Sequence, residues 1–303
     1  MPLDTPYREL RPRLFAMAYG MVGSAEEAED IVQDAFVRFH VATGNGTDVE
    51  SPRAFLSLTT TRLAIDHLRS ARVRRERYVG QWLPEPLITG HADHAGMDTE
   101  ALEALSMPVL VLLERLSPVE RAVFVLRDLF GYGFDEIARA VEKSQPNYRQ
   151  IAARARRHVE SARPRFAATP EQRDDLARTL LDAWEEGDTT TLERVLTADV
   201  VSYADGGGKA PAAPLPITGR AEVIRLLLGI RRIVRNRRAR LALAQVNGDP
   251  GVVAVEPDAG LTCILSLDYV SDGVQALRWV LNPDKLARAG GGGRPRRPRS
   301  VGQ

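Results

Sequence analysis

Residues 134–157 read FDEIARAVEKSQPNYRQIAARARR, and the division of the whole chain follows from them. Ile137, Ala138 and Val141 recur at three- and four-residue spacing, which gives a first short helix one apolar face. The apolar run breaks at Glu142-Lys143, and Ser144 is placed to accept an amide hydrogen bond as the N-cap of a second helix. Pro146 costs little in that first turn, because the amide it lacks has no helical partner there. In the second helix Tyr148, Ile151, Ala152 and Ala155 point one way; Asn147, Arg149, Gln150, Arg154, Arg156 and Arg157 cover the other faces. Two short helices about a tight turn, the second polar at its start and arginine-rich after, predict a helix-turn-helix. Its amide and guanidinium groups can reach base edges in a major groove, and the later arginines can neutralise phosphate. The plainer reading is a helical hairpin whose arginines form a solvated face. The flanking segments favour the first.

Upstream, residues 8–22 have helical apolar spacing through Leu10, Leu14, Phe15 and Ala18, and Gly23 ends the helix. Ser24, with Glu27 three residues on, forms a capping box for the next helix, which sets Ile31, Val32, Ala35, Phe36 and Phe39 inward. Glu26, Glu27, Glu29, Asp30 and Asp34 crowd its first half, where the helix dipole favours negative charge. That structural reason suffices, yet it leaves a carboxylate-rich surface for a basic partner. Ser51-Pro52 starts a long third helix with Phe55, Leu56, Leu63, Ile65 and Leu68 on its core side. Arg62, Arg69, Arg72, Arg74, Arg75 and Arg77 make its later half strongly basic, more than a dipole requires, as expected of a helix lying on a phosphate backbone.

The chain has 303 residues, 44% of them hydrophobic and 27% charged, which suits two or three soluble domains. A net charge of +1 gives no overall basic field, so nucleic-acid binding must rest on local patches. The single cysteine, Cys263, excludes an intramolecular disulfide and a cysteine-built zinc site; within LTCILSL it reads as a buried thiol. No cofactor or metal is expected. With no signal peptide and no long apolar span, a cytoplasmic protein with no membrane partner is expected.

The pattern gives a helical domain over residues 5–78, a linker over 79–98, and a second helical domain over 99–163 with a capping box at Ser117-Pro118-Val119-Glu120. His91 and His94 read as exposed linker residues rather than ligands. Residues 170–288 change character. Two helices, residues 171–186 and 190–196, precede strand-like runs at 200–203, 239–246, 252–255, 261–269 and 274–281, with a helix at 220–234 between. Asn247-Gly248-Asp249-Pro250-Gly251 and Ser271-Asp272-Gly273 are hairpin signals. The expectation is an α+β domain with a curved antiparallel sheet. Residues 289–303, rich in glycine and arginine, form a disordered basic tail.

Together these features resemble an extracytoplasmic-function sigma factor. AEDIVQDAFVRF (28–39) is similar to that family's polymerase-docking segment, RAFLSLTTTRLAIDHLRS (53–70) to its minus-ten-reading helix, and LSPVERAVFVLRDLFGYGFDEIA (116–138) to the start of its minus-thirty-five-reading domain. WLPEP (82–86), DGGGK (205–209) and NPDKL (282–286) resemble the group carrying a fused SnoaL-like domain, and the likeness spans residues 5–288. The departure is Gln145-Pro146-Asn147-Tyr148, where the wider family has small and β-branched residues, so base preferences do not carry over.

The resemblance implies a multidomain fold: two all-α sigma domains, the second with the helix-turn-helix, then an α+β SnoaL-like cone. It implies core RNA polymerase and promoter DNA as partners, regulation in cis, and no separate anti-sigma factor. Asp30, Gln33, Asp34, Phe36 and Arg38 would dock on polymerase. Arg62, Asp66, Arg69 and Arg72 would contact the minus-ten element, with an extruded base held near residues 43–51. Ser144, Asn147, Tyr148 and Arg149 would meet the upstream element, with Arg154 and Arg157 on phosphates.

A regulatory contact is expected from Trp82, Pro84, Pro86, Asp205, Gly206, Gly207, Gly208, Lys209, Asn282, Pro283, Asp284 and Lys285. Alternatives stand beside it: DGGGK as a tight turn, Pro283 as a strand stop, and Trp82 buried within one domain. The cone has room for a small ligand that no residue pattern names. Catalysis is not expected, because no histidine follows Pro170. The rival function is a helix-turn-helix regulator with a ligand-sensing or weakly enzymatic cone.

Overall fold

The computed structural model describes residues 4–75, 78–89, 104–142, 145–162 and 168–289, and these fall into two units. The first holds the described residues up to Tyr78 and those of 104–162; the second holds 79–89 and 168–289. Calls on Ser144, His91, His94, the Arg72 side chain and residues 290–303 lie outside what is described.

In the first unit α1 (Asp4–Val22), α2 (Ala25–Gly44) and α3 (Pro52–Arg75) pack pairwise. Gly23 takes φ 71°, a left-handed turn that glycine adopts without strain. The Ser24 hydroxyl then accepts the Glu27 amide and starts α2 where the capping pattern predicts. Helix α2 buries Ala28, Ile31, Val32, Ala35 and Phe39; Phe36, expected inward, is half-buried with its ring 4.8 Å from that of Tyr7. In α3 Leu56, Ile65 and Leu68 are buried, while Phe55 and Leu63 are only half-buried.

The same unit continues through α4 (Met107–Leu113), α5 (Pro118–Phe124), a π-helical turn (Val125–Leu129), α6 (Phe134–Val141) and α7 (Gln145–Ala162). Ser117 and Glu120 form the expected capping box. Burial alone would raise the Glu120 carboxyl, but hydrogen bonds from Ser117 and Arg154 hold it below the usual range. Arg121 is buried, with its guanidinium on Glu114 and on the Gly20 carbonyl (3.2 Å). A Cβ at Gly20 would sit 2.9 Å from a Leu105 methyl, which would have to shift to admit it. Ser57 and Tyr132 share a buried 2.7 Å hydrogen bond.

The second unit is a seven-stranded sheet covered by helices, in the order β1 (Ile88–Thr89), β4 (Arg240–Val246), β5 (Asp249–Glu256), β6 (Gly260–Val270), β7 (Gly273–Val280), β2 (Leu196–Asp205), β3 (Ile217–Thr218). Its helices are α8 (Pro170–Glu186), α9 (Thr189–Val195), α10 (Arg220–Asn236) and α11 (Pro283–Ala289). The meander from β4 to β7 is antiparallel, and β2 joins β7 in parallel. Asn247 (φ 53°) and Gly248 (φ 78°) make the two-residue turn between β4 and β5, so β5 starts earlier than the apolar run suggests. Trp184 and Trp279 meet edge to face at 5.5 Å in the core; their indole nitrogens donate to the Leu227 carbonyl and the Ser202 hydroxyl. The residues expected to form a linker do not all behave as one. Ile88 and Thr89 pair with Val246 and Gln245 as an edge strand of this sheet.

Cys263 is buried as expected, and burial pushes its thiol up to about 12. Because the folded value lies above the unfolded one, this group's contribution to stability is complete below the unfolded pKa of 9.0. It is lost as pH rises from there toward 12. The native chain at pH 8 should therefore react with 5,5′-dithiobis(2-nitrobenzoate) more than about a hundredfold slower than the unfolded chain. Equal rates would contradict a buried, protonated thiol.

Candidate functional site

The helix-turn-helix is α6 and α7, and α6 ends at Glu142 in a left-handed backbone (φ 55°). Ile137, Ala140 and Val141 of α6 pack inward, with Ala138 half-buried. Tyr148, Ile151, Ala155 and Val159 of α7 are buried, and Ala152 is half-buried. Asn147, Arg149, Arg154 and Arg157 are exposed along α7, as a DNA-reading helix needs. Tyr148 is a correction. It is 0% exposed, sits edge to face on Phe134 at 5.5 Å, and its hydroxyl has no hydrogen-bond partner among the described residues. Desolvation by burial raises its phenol. An aromatic ring one position from the polar face served the core, where its area counts for more than its hydroxyl.

Phe134 is itself half-covered by cations: Arg127 lies 4.4 Å and Arg149 5.8 Å from its ring centre. Arg154 pairs with Glu120 and Arg156 with Asp128 (2.6 Å), which ties α7 back to the preceding helices. Arg157 bonds only its own helix, at the Ala153 carbonyl, in the contacts described. On α3, Arg62, Asp66 and Arg69 are exposed, and Asp66 pairs with Arg69 at 3.2 Å. Arg62 reaches Glu142 (3.1 Å) and the Arg139 carbonyl (3.2 Å), so the arginine-rich helix rests on the turn of the helix-turn-helix. A cleft of about 610 Å³ lies beside this contact, walled by Asp48, Ser51 and Phe55 on one side and by Tyr132, Glu136 and Arg139 on the other.

On α2, Asp30, Gln33, Asp34 and Arg38 are exposed on neighbouring turns, with Phe36 half-buried at their edge. Val37 (60% exposed) and Val41 (54%) lie one turn apart on that surface. Sequence reasoning passed over both valines, although their i, i+4 spacing off the core stripe was the available signal.

The second unit brings to one point the three motifs for which a regulatory contact is expected. Asp205 ends β2 fully buried, and one of its carboxylate oxygens accepts both the Leu83 amide (2.9 Å) and the Lys285 ammonium (2.7 Å). The other accepts the Gly207 amide (3.0 Å) and so folds the glycine loop back. The Asp205 carbonyl takes the amides of Leu281 and Asn282. Lys285 also donates to the Leu83 carbonyl and lies 4.4 Å from the Trp82 ring centre. Pro84 and Pro86 are buried, and Leu87 exchanges two hydrogen bonds with Asn247 (2.8 and 3.0 Å).

Lys209 pairs with Asp284, and both are exposed. Trp82 is half-buried under Lys285. Pro283 does not merely stop a strand: it opens α11, with the Asn282 side chain accepting the Asp284 amide. Gly206 admits no side chain, because a Cβ would lie 2.2 Å from the Ala210 carbonyl, and Gly208 lies against the Val79 side chain. Gln81, which donates to the Ala213 carbonyl at 2.9 Å, and Asn247 also hold this segment; the sequence marked the first not at all and the second only as a turn.

Residues 6–74 match the Sigma-70 region 2 family and residues 106–159 match Sigma-70, region 4. The chain belongs to the extracytoplasmic-function (ECF) RNA polymerase sigma factors. As such it is an alternative sigma factor, which binds core RNA polymerase and promoter DNA and directs transcription initiation. Among its curated relatives is the ECF RNA polymerase sigma factor SigJ of Mycobacterium tuberculosis (strain H37Rv), 35% identical over 289 residues that make up 92% of each chain. The Probable ECF RNA polymerase sigma factor SigI of the same species (strain CDC 1551) is 35% identical over 215 residues, 67% of this chain and 70% of that one. The crystal structure of the SigJ extracytoplasmic function sigma factor matches with a TM-score of 0.76 at 32% identity, covering 93% of this chain and 97% of that one. No helix among the described residues is long and apolar enough to cross a membrane.

Truncating Asp205 strands a buried ammonium, a loss of about 3–5 kcal/mol for a pair of this kind. Asp205→Ala should therefore speed hydrogen exchange at the Leu83 amide by at least about tenfold, while Lys209→Ala, which breaks an exposed pair, should barely change it. Equal protection in wild type and Asp205→Ala would contradict the grip described.

Proposed function

We propose that the second unit controls this sigma factor in cis by holding residues 79–89, the segment through which region 2 continues toward region 4. The observation that carries this reading is the buried Asp205 carboxylate, shared between the Leu83 amide and Lys285. All three regulatory motifs meet there, so their residues act as a clamp on the connecting segment. Such a clamp replaces a separate anti-sigma factor, and the protein works in the cytoplasm with its polymerase. The cone senses a small ligand rather than turning one over: no histidine follows Pro170, and the buried Asp249 and half-buried Asp268 carboxylates are paired with Arg173 and Arg278.

The remaining roles follow from the exposed residues. Asp30, Gln33, Asp34, Phe36 and Arg38 dock on polymerase, with Val37 and Val41 adding apolar area. Arg62, Asp66, Arg69 and Arg72 read the minus-ten element. The cleft beside residues 47–51 takes the extruded base, once α6 no longer forms its second wall. In the free chain Arg62 is engaged with Glu142, an exposed pair worth about 0–1 kcal/mol, so polymerase binding can displace it easily. Ser144, Asn147 and Arg149 meet the upstream element, and Arg154 and Arg157 meet phosphates.

Run-off transcription with core polymerase and genomic promoter fragments tests the central claim. Asp205→Ala and Lys285→Ala should each change promoter-specific output by about fivefold or more, as expected for coupled sites, with core-polymerase affinity unchanged. Unaltered output would sink control through this clamp.

Promoter binding by the holoenzyme tests the reading helix. Asn147→Ala should cost about 1–3 kcal/mol of discrimination at one base pair. Arg157→Ala should weaken binding to all sequences alike and lower the log–log salt slope by about 1. A sequence-specific loss from Arg157→Ala would overturn its assignment to phosphate.

A further inference from the structure

We infer that the cone of the second unit is a receptor for an uncharged, lipophilic small molecule, and that the loop holding residues 79–89 reads its occupancy. The transcriptional effect rests on the cis-control reading above; the binding does not.

The cavity has a volume of about 500 Å³, within the range of ligand sites, and lies between α10 and the strands facing it. Trp184, Leu226, Ile230, Val252, Leu265 and Trp279 make its walls apolar. Few polar groups reach it, and the hydroxyls among them are bonded within the protein. The Ser202 hydroxyl accepts the Trp279 indole, Thr262 donates to the Ala254 carbonyl, and the Cys263 thiol is buried. Among the described residues the charged ones lining it are Arg237 and Glu256, which pair at 3.2 Å, and Arg237 is exposed, which puts the pair at the rim. A charge carried to the cavity floor would find no counter-charge and would lose its hydration. The occupant that fits is an apolar body with its polar end, if any, at Arg237 and Glu256.

The coupling follows from what one wall is made of. Ala210, Pro211, Ala212 and Ala213 line the cavity and continue directly from the glycine loop. At one end this wall is tied to Asp205, because the Gly206 carbonyl accepts the amides of Lys209 and Ala210 (2.9 and 3.0 Å). At the other, the Ala213 carbonyl accepts the Gln81 side chain. Ser202 and Ala204, also lining residues, lie on the strand that ends in Asp205. A molecule pressing on residues 210–213 therefore loads two of the attachments of the 79–89 segment, at Gln81 and at Leu83.

The test uses the full chain and the neutral fluorophore N-phenyl-1-naphthylamine. Its fluorescence should rise saturably with one site per chain. Ala254→Phe and Ile230→Trp, which fill the cavity from opposite walls, should each weaken binding at least tenfold in proteins that keep the wild-type near-ultraviolet circular dichroism. The anionic analogue 8-anilinonaphthalene-1-sulfonate should bind at least tenfold more weakly. In run-off transcription the fluorophore should change wild-type output, and Gln81→Ala should retain binding while losing that response. No saturable binding, or binding indifferent to both filled variants, would overturn the receptor. Equal affinity for the sulfonate would overturn the uncharged ligand class. Binding without a transcriptional response in wild type would overturn the coupling. Since Asp205→Ala tests cis control without any ligand, failure of that reading is separately visible.

Discussion

A carboxylate with no exposure to water must have every lone pair engaged or it destabilises the fold, and Asp205 meets that demand with groups from three distant parts of the sequence. The Leu83 amide, the Gly207 amide and the Lys285 ammonium are each required by it, and in turn each fixes a motif. Leu83 brings in the extended segment and its edge strand. Gly207 folds the glycine loop so tightly that Gly206 has no room for a Cβ. Lys285 sets the start of α11 and covers Trp82. One buried charge thus specifies where a loop, a helix and a connecting segment meet.

The helical unit uses the same economy of position. Arg121 is buried against Glu114 and the Gly20 carbonyl, and so joins the second helical group to the first. The exposed contact of Arg62 with Glu142 is of the opposite kind: both side chains face solvent, and such a pair adds little stability.

Much of this was legible in the chain itself. The spacing of Ile31, Ala35 and Phe39, the caps at Ser24 and Ser117 and the turn at Asn247-Gly248 are local signals, and local physics places them correctly. What escaped was decided by distant residues. Tyr148 reads equally well as a base-contacting phenol or a core ring, and only the presence of Phe134 against it settles the matter. Residues 79–89 have no helical period and two prolines, which suits a linker; their pairing with β4 depends on an edge far away in sequence. Lys209 and Lys285 stand out as two of three lysines, but which aspartate each meets is a property of the folded loop.

The pairing of the 79–89 segment with a distant turn has a consequence in time. Leu87 bonds Asn247, 160 residues further along the chain. At ribosomal rates of about 5–20 residues per second, the partner emerges on the order of ten seconds after the strand it captures. During that interval regions 2 and 4 are both made while nothing yet grips the segment between them. Under the cis control proposed above, each newly synthesised molecule passes through a brief ungoverned phase before its second unit folds, and how much of it meets polymerase in that phase depends on the rate of translation.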